Sequence, residues 1–395
     1  MKKTITISAI ILLATAGCAG GSKPSADDFI TVDVTASYPK KELILQDFMD
    51  VEYIPLETKD EFITMAYIQS IGKDVIVVRN RNRSSDGDIF FFDKNGKGLK
   101  KINRKGQGGE EYTFLLWVAL DEDNGELFVD DHYIRKLFVY DLDGNFKRNF
   151  GHKEGVYYDK IYNFDRENLI CHDGNRGFGN EERNIFLIIS KQDGSVTKEI
   201  QIPYEEQQST VLKSIDEAQG IGYSARPDNN ELIPYRGNWI LAEPSSDTLY
   251  LLQPDYSIIP FMARTPSIQS MDTKVFLFPG VLTDRYYFMQ TVKKEYDFAT
   301  DRGFQKTNLI YDRQEETIFE YVVYNDDFSD KRPVNMVDEV YMMNNEIVFI
   351  KKMEAHDLVE AYEKGELKGR LKEIAATLDE EDNPVIMLVK HRKQQ

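Results

Sequence analysis

Short apolar runs alternate with tight polar turns along most of this chain, and the turns recur in a fixed order. Residues 90–93 (FFFD) lead into KNGKGLKKI, 137–141 (LFVYD) into LDGNFKRNF, and 186–190 (FLIIS) into KQDGSVTKEI. Residues 249–252 (LYLL) lead into QPDYSIIPF, and 309–312 (LIYD) into RQEETIFEYVV. Each reads as an apolar strand, a turn rich in Gly, Asp or Asn, and a second strand. A second hairpin precedes each one. Its turn reads GKD at 72–74, DNG at 123–125, REN at 166–168, RGN at 236–238, TDR at 283–285 and NNE at 344–346, and an apolar strand follows every time. That makes six copies of a four-stranded unit, spaced roughly 40–70 residues apart, which is the signature of propeller blades. The fold class predicted is all-β, a six-bladed β-propeller of four-stranded blades. A sandwich of two stacked sheets is the alternative architecture, although it has no need of such repetition.

The sixth copy departs from the pattern. After Lys351 come apolar residues at Leu358, Val359, Tyr362, Leu371, Ile374, Ala375 and Leu378, a helical spacing. A helical insertion over about 354–378 is expected, stopped by Asn383-Pro384, with a strand over 385–389 and the apolar stripe packed on the last blade. The last copy then has no fourth strand of its own. An N-terminal strand, 29–34 or 51–56, must supply it and close the ring, which removes an open sheet edge.

Several segments carry a resemblance. They are Tyr53-Ile54-Pro55-Leu56-Glu57-Thr58, the Phe92-Asp93…Gly96 turn, Gly106-Gln107-Gly108-Gly109-Glu110-Glu111-Tyr112, and the ending Glu381-Asp382-Asn383-Pro384-Val385. Together they resemble the six-bladed, NHL-like β-propeller lipoproteins of Gram-negative bacteria, a mostly uncharacterised family. That family usually shows G-x-G-P-G-E-[YF]; here Gly109 replaces the Pro and an extra Glu is present. The resemblance spans nearly the whole chain after the leader. It implies fold and an N-terminal lipobox and is almost silent about function.

The first residues fit that implication. Lys2 and Lys3 precede a short apolar core, 5–14, and then Ala16-Gly17-Cys18. This is an export signal, too short for a spanning helix. The expected organisation is a signal peptide over 1–17, a lipidated tether over 18–28 anchored at Cys18, and the propeller over 29–395. Thr15 stands where a lipobox usually has Leu, and ordinary secretion with an incidental Cys is the competing reading. The location expected is the cell envelope, as an outer-membrane lipoprotein facing either the periplasm or the cell surface. Cys171, the other of the 2 cysteines, sits in an apolar run and reads as a small buried hydrophobe, so no disulfide framework is expected.

The formal net charge of −18 argues against nucleic acid as a partner. No Walker A sequence and no G-x-S-x-G elbow occur, and Gly106–Gly109 lacks the third glycine of a dinucleotide fingerprint. His132, His152, His172, His356 and His391 show no zinc spacing. Asp130-Asp131-His132 and His172-Asp173 fall at equivalent places in neighbouring blades, so a metal site there has a geometric basis but no motif. No catalytic residue, metal ligand or cofactor is therefore assigned, and a calcium ion in the channel has no motif behind it.

Topology narrows the search for function. The 1–2 and 3–4 turns of every blade share one face and are uniformly tight. The other face carries the 2–3 loops, at 79–87, 131–135, 173–183, 243–247, 290–306 and 351–383, and a long 4–1 connection over 204–230. Long loops on a rigid scaffold are where binding concentrates. They hold Tyr157, Tyr158, Phe178, Tyr223, Tyr296, Phe298 and Phe304, and Arg79, Arg81, Arg83, Arg176, Arg226 and Arg302. The first polar residue after each second strand is Arg79, Asp131, Asp173, Glu243, Gln290 or Lys351, and these six form the candidate ligand-binding face. A solvated rim with some packed aromatics accounts for the same pattern. The function expected is binding or scaffolding of a glycan, peptide or protein partner by a membrane-anchored propeller. The alternative is a channel-sited hydrolase, lactonase-like and calcium-dependent, or a sugar oxidoreductase.

Overall fold

The computed structural model describes residues 29–80, 86–174, 184–217, 220–300, 302–337 and 346–392. The segments expected to be signal peptide and tether, Cys18 among them, and Arg81, Arg83, Arg176 and Phe178 lie outside them. The chain folds as the six-bladed propeller that its turns predict. Blade 1 is the meander Tyr67–Ile71, Val75–Arg79, Asp88–Asp93 and Gly98–Asn103. Blade 2 runs Trp117–Asp121, Glu126–Asp131, Lys136–Asp141, Phe146–Gly151, and blade 3 runs Tyr158–Asn163, Asn168–Asp173, Phe186–Ser190, Val196–Ile200. Blade 4 takes Leu232–Tyr235, Asn238–Leu241, Thr248–Leu252, Ile258–Thr265, and blade 5 takes Val275–Leu282, Tyr286–Lys293, Lys306–Asp312, Thr317–Tyr324. Blade 6 holds Ile347–Met353 and Val385–His391, with residues 338–345 outside the described set. A separate hairpin, Leu212–Asp216 with Ile221–Ala225, stands in the long connection between blades 3 and 4.

The 3–4 turns repeat at atomic level. Asp93 Oδ1 accepts the N–H groups of Asn95 and Lys97, and Asp141 Oδ1 accepts those of Asp143 and Asn145 in the same way. A left-handed residue follows at Gly96, Gly144, Gly194, Tyr256 and Glu316 in blades 1 to 5. Glycine adopts that conformation without penalty, and blades 4 and 5 do without it.

Side-chain burial closes the ring. Each strand of a blade core is apolar on both faces, because each face meets a different neighbouring blade. Ile76, Val78, Phe90 and Phe92 pack against Ile350, Ile386 and Leu388 of blade 6. Val77, Ile89 and Phe91, on the opposite face of the same strands, pack against Val129 and Phe138 of blade 2. Further clusters join blade 2 to 3, through Phe128, Leu187 and the fully buried Cys171, and blade 3 to 4, through Phe186 and Leu241. One large cluster fuses blades 4, 5 and 6.

The N-terminal segment explains why that last cluster is large. Three strands, β1 (Ile30–Asp33), β2 (Lys40–Ile44) and β3 (Met49–Pro55), run along the outer edges of blades 4, 5 and 6 in turn. β1 pairs in parallel with Ile258–Thr265, and β2 in parallel with Thr317–Tyr324, each adding a fifth strand. β3 pairs antiparallel with Val385–His391, from Met49↔His391 to Pro55↔Val385. Of the two closure strands expected, the second does the closing, and the first covers the edge of blade 4 instead.

The insertion is two short helices, Ala355–Glu363 and Gly369–Ala375, rather than one. The break falls where Gly365 and Gly369 both take positive φ. Leu358, Leu371, Ile374 and Ala375 pack into the cluster that contains Met387 of blade 6, as the apolar spacing requires. Tyr362, read as part of the stripe, is exposed.

Candidate functional site

A cavity of about 810 Å³ opens on the long-loop face. Its walls come from the innermost strands, whose side chains are the ones a propeller leaves facing its axis. Blade 1 contributes Tyr67 and, from its second strand, Arg79; blade 2 contributes Trp117; blade 3 contributes Tyr157, Asp159, Lys160 and Tyr162. The stretch leading into blade 4 adds Arg226, Asp228, Asn229 and Glu231, and blade 6 adds Lys351 and Lys352. No described residue of blade 5 lines it. Basic side chains (Arg79, Lys160, Arg226, Lys351, Lys352) outnumber acidic ones (Asp159, Asp228, Glu231) in a chain that is strongly acidic overall.

The aromatic residues are held in place by polar contacts and by each other. Trp117 Nε1 donates to the Ile161 carbonyl at 2.6 Å, and its ring meets Tyr162 edge-on at 5.6 Å. Tyr157 Oη lies 2.7 Å from His132 Nε2. The Arg79 guanidinium lies 4.6 Å from the centre of the Tyr67 ring, within cation–π range. Burial pushes the Tyr162 phenol up to about 12, so it stays neutral.

Two ion pairs draw on charges of the wall. Lys160 Nζ and Glu231 lie 2.9 Å apart. Burial alone pushes this lysine down and this glutamate up; their attraction reverses both shifts, and both remain charged. Asp159 is 2.6 Å from His172 Nδ1, with Arg226 at 3.9 Å. Burial raises its carboxyl, but the interaction with His172 outweighs that and leaves it below the ordinary value. Behind the wall, His152 Nε2 lies 2.6 Å from the fully buried Asp130, whose carboxyl is raised by burial.

Asn229 differs from its neighbours. It is only 8% exposed, and its side-chain oxygen has no hydrogen-bond partner among the described residues. The orientation follows from a chain of amides. Gln290 Nε2 donates to Asn308 Oδ1 at 2.8 Å, so Gln290 Oε1 faces Asn229 and accepts from its Nδ2 at 3.2 Å. That leaves the Asn229 oxygen as a buried acceptor without a partner among the described residues, in a residue that lines the cavity.

Of the six residues expected on the binding face, Arg79 and Lys351 line the cavity and four do not. Asp131 is fully buried; its carboxylate accepts from the N–H groups of Thr113, Phe114 and Tyr133. Asp173 Oδ1 accepts from Tyr157 N at 3.0 Å, and Glu243 Oε1 accepts from Ser245 N at 2.9 Å. These three acids tie loops to the ends of second strands, and Gln290 orients Asn229. Tyr157 and Arg226, singled out among the loop residues, do line the cavity, whereas Tyr158 is buried. Missed altogether were Tyr67, Trp117, Asp159, Lys160, Tyr162 and Asn229. A signal existed in 157–162 (YYDKIY), where two adjacent charges interrupt an aromatic strand.

Among the described residues, no three His, Cys, Asp or Glu side chains converge as a metal set, and no helix is long and apolar enough to cross a membrane. Residues 29–390 match the model of a domain of unknown function, DUF4934. No curated protein matches the chain. The fold is similar to that of a Bacteroides fragilis protein whose name proposes export, with 14% identity and a TM-score of 0.55 over 93% of this chain and 99% of that one. A Bacteroides vulgatus member of the DUF4221 family is similar at 11% identity and a TM-score of 0.44, over 88% and 98%.

Proposed function

The chain belongs to the DUF4934 family, and from that premise we propose that it is an exported, lipid-anchored binding protein of the cell envelope whose ligand sits in the long-loop cavity. One observation carries the binding reading. A cavity of about 810 Å³ lies within the usual range for ligand sites, roughly 300–1,000 Å³. Its wall combines aromatic rings with a few fixed polar groups. A glycan, a peptide or a protein segment fits that description.

The leader, with Lys2, Lys3, the apolar stretch 5–14 and Ala16-Gly17-Cys18, supports export and anchoring. So does the proposed export of the Bacteroides fragilis relative. The direction of β1 adds a geometric consequence. It pairs in parallel with the fourth strand of blade 4, from Ile30↔Met262 to Asp33↔Thr265. β1 therefore starts nearer the tight-turn side than it ends, so the described chain begins on the side away from the cavity.

Two experiments test this reading. Labelled protein applied to an array of glycans and peptides should bind, and Arg226→Glu with Lys351→Glu should abolish that binding. An unchanged binding pattern would remove the cavity from the account. In cell fractionation, Cys18→Ala should move the protein from membranes to the soluble fraction. Retention on membranes after a high-salt wash would refute the anchor.

A further inference from the structure

Resting on the reading of the cavity as a ligand site, we infer that its ligand is an acidic saccharide, a hydroxyl-rich sugar bearing carboxylate or sulfate. Three independent features of the wall converge on that class. The first is charge. Lys160 is already matched by Glu231, but Lys351 is exposed and has no ion-pair partner among the described residues. The Arg226 side chain is 54% exposed, and the one carboxylate within 4 Å of it among the described residues, Asp159, lies at 3.9 Å, beyond hydrogen-bond reach. Two cations at one mouth, in a chain of net charge −18, attract a compact anion. A polyanion such as nucleic acid meets repulsion from the rest of the surface.

The second feature is the buried oxygen of Asn229. A buried acceptor left without a partner costs about 1–3 kcal/mol, and a ligand O–H or N–H donor removes that cost. The exposed carboxylate of Asp228 on the same wall, beside the paired carboxylates of Asp159 and Glu231, asks for a neutral donor as well. A ligand that is purely anionic is repelled by them. A polyhydroxyl ligand with an acidic group satisfies the cations and the acceptors together, whereas an acidic peptide offers few hydroxyl donors.

The third feature is ring faces. Trp117 has its indole N–H taken by the Ile161 carbonyl, and the Tyr157 hydroxyl already has His132 as a partner. The larger part of what these residues offer a ligand is their π-surfaces, which suit the C–H face of a pyranose ring.

The test is a glycan array carrying uronate-, sialate- and sulfate-bearing oligosaccharides beside neutral ones, followed by calorimetry. The calorimetric probes are trigalacturonate, or the best acidic binder from the array, its methyl-esterified or desulfated neutral form, and triglutamate as an acid without sugar hydroxyls. Expected is binding of the acidic sugar, at least ~10-fold weaker binding of its neutral form, and no measurable binding of triglutamate. Arg226→Gln and Lys351→Gln should each weaken the acidic sugar about 10-fold with the unfolding midpoint unchanged, since both side chains are solvent-facing. Asn229→Ala should weaken the acidic and neutral forms alike. Equal affinity for the neutral form, preference for triglutamate, or indifference to both cation variants overturns the inference. A neutral glycan or a peptide bound in the cavity would overturn it while leaving the general binding reading intact. An array with no cavity-dependent ligand would overturn both.

Discussion

The two halves of the ring are built differently. Blades 1 to 3 are plain four-stranded meanders, with one apolar cluster between each neighbouring pair. Blades 4 to 6 have the N-terminal strands sewn along their outer edges, and their side chains merge into a single cluster. The cavity shows the opposite bias: blades 1 to 3 and the approach to blade 4 supply most of its wall, and no described residue of blade 5 lines it. One half therefore concentrates closure, and the other concentrates the cavity wall. Placing the closing joint away from most of the cavity-lining residues leaves their strands free to carry charged groups such as Asp159 and Lys160, which a closure strand cannot bury without cost.

The largest effect expected from this difference is on folding itself. A chain starting at residue 56 loses β3, which pairs along the whole of Val385–His391, together with the buried Ile30, Val32, Leu45, Met49, Tyr53 and Ile54. It should show no cooperative unfolding transition in denaturant. Removal of 384–395 should do the same, because it takes out the strand between Ile347–Met353 and β3. A chain starting at residue 47 keeps β3 and loses the two parallel edge strands together with the buried Leu45. It should fold with a lowered midpoint. If all three behave like the full chain, the N-terminal segment does not close the ring.

How much of this was legible in the sequence depends on whether the signal was local. The paired turns fixed six blades because a hairpin writes its own signature in adjacent residues. Closure by an N-terminal strand was legible from the missing partner of 385–389. The parallel pairing of β1 and β2 was not, because their partners lie more than 200 residues away and no turn joins them. The cavity was half legible for a related reason. Counting polar residues at second-strand ends pointed to the face on which the cavity opens and picked out Arg79 and Lys351 of its lining. It also collected Asp131, Asp173 and Glu243, which are polar because loop N–H groups need an acceptor there. Most of the lining groups it missed, Tyr67, Trp117, Asp159, Lys160 and Tyr162, belong to first strands. Which way those strands point is a property of the assembled ring.

A smaller effect is expected from one side chain in the belt. Leu45 lies in the turn between β2 and β3, outside every repeat, and is fully buried. Leu45→Ala should cost about 2–4 kcal/mol, the range for a core leucine. Leu187→Ala, in the blade 2–3 cluster, should cost about the same. Denaturant midpoints at constant slope would measure both. A near-zero cost at Leu45 would make the belt an accessory rather than part of the core.

Next is a charge that joins the belt to blade 5. The buried carboxylate of Asp312 accepts hydrogen bonds from Lys41 of β2 at 2.7 Å and from Arg285 Nη2 at 2.9 Å. Burial pushes its carboxyl up, but these two bonds outweigh that and hold it far below the usual range. The sign of the pH effect follows. A depressed carboxyl stabilises the fold fully above its unfolded value, about 3.9. That contribution is lost as the pH falls below this value toward the folded one. Asp312→Asn should lower stability at pH 7 by about 2 kcal/mol and flatten the fall below pH ~4. An equally steep acid limb in the variant would assign the acid sensitivity to other carboxylates.

The smallest effect on stability is expected from single charges on the two faces of the belt-free half, and there the faces should part company over binding. On the tight-turn face, Lys73 of blade 1 and Asp123 of blade 2 lie 2.7 Å apart with side chains 75% and 73% exposed. Two exposed ions gain little from each other in water and lose it to salt. Asp123→Lys should therefore leave both the unfolding midpoint and ligand binding unchanged. On the cavity face, Arg226→Glu should be just as silent in unfolding, since that side chain is more than half exposed. Its effect should appear in binding alone, because a reversed charge at the mouth repels an anionic ligand and adds to the carboxylate of Asp159. The measurement is a pair of melting curves beside a pair of binding isotherms in low salt. Equal melting with unequal binding locates recognition at the cavity mouth. Binding lost in Asp123→Lys and kept in Arg226→Glu would place recognition on the tight turns instead, and the division of labour between the two halves would then fail.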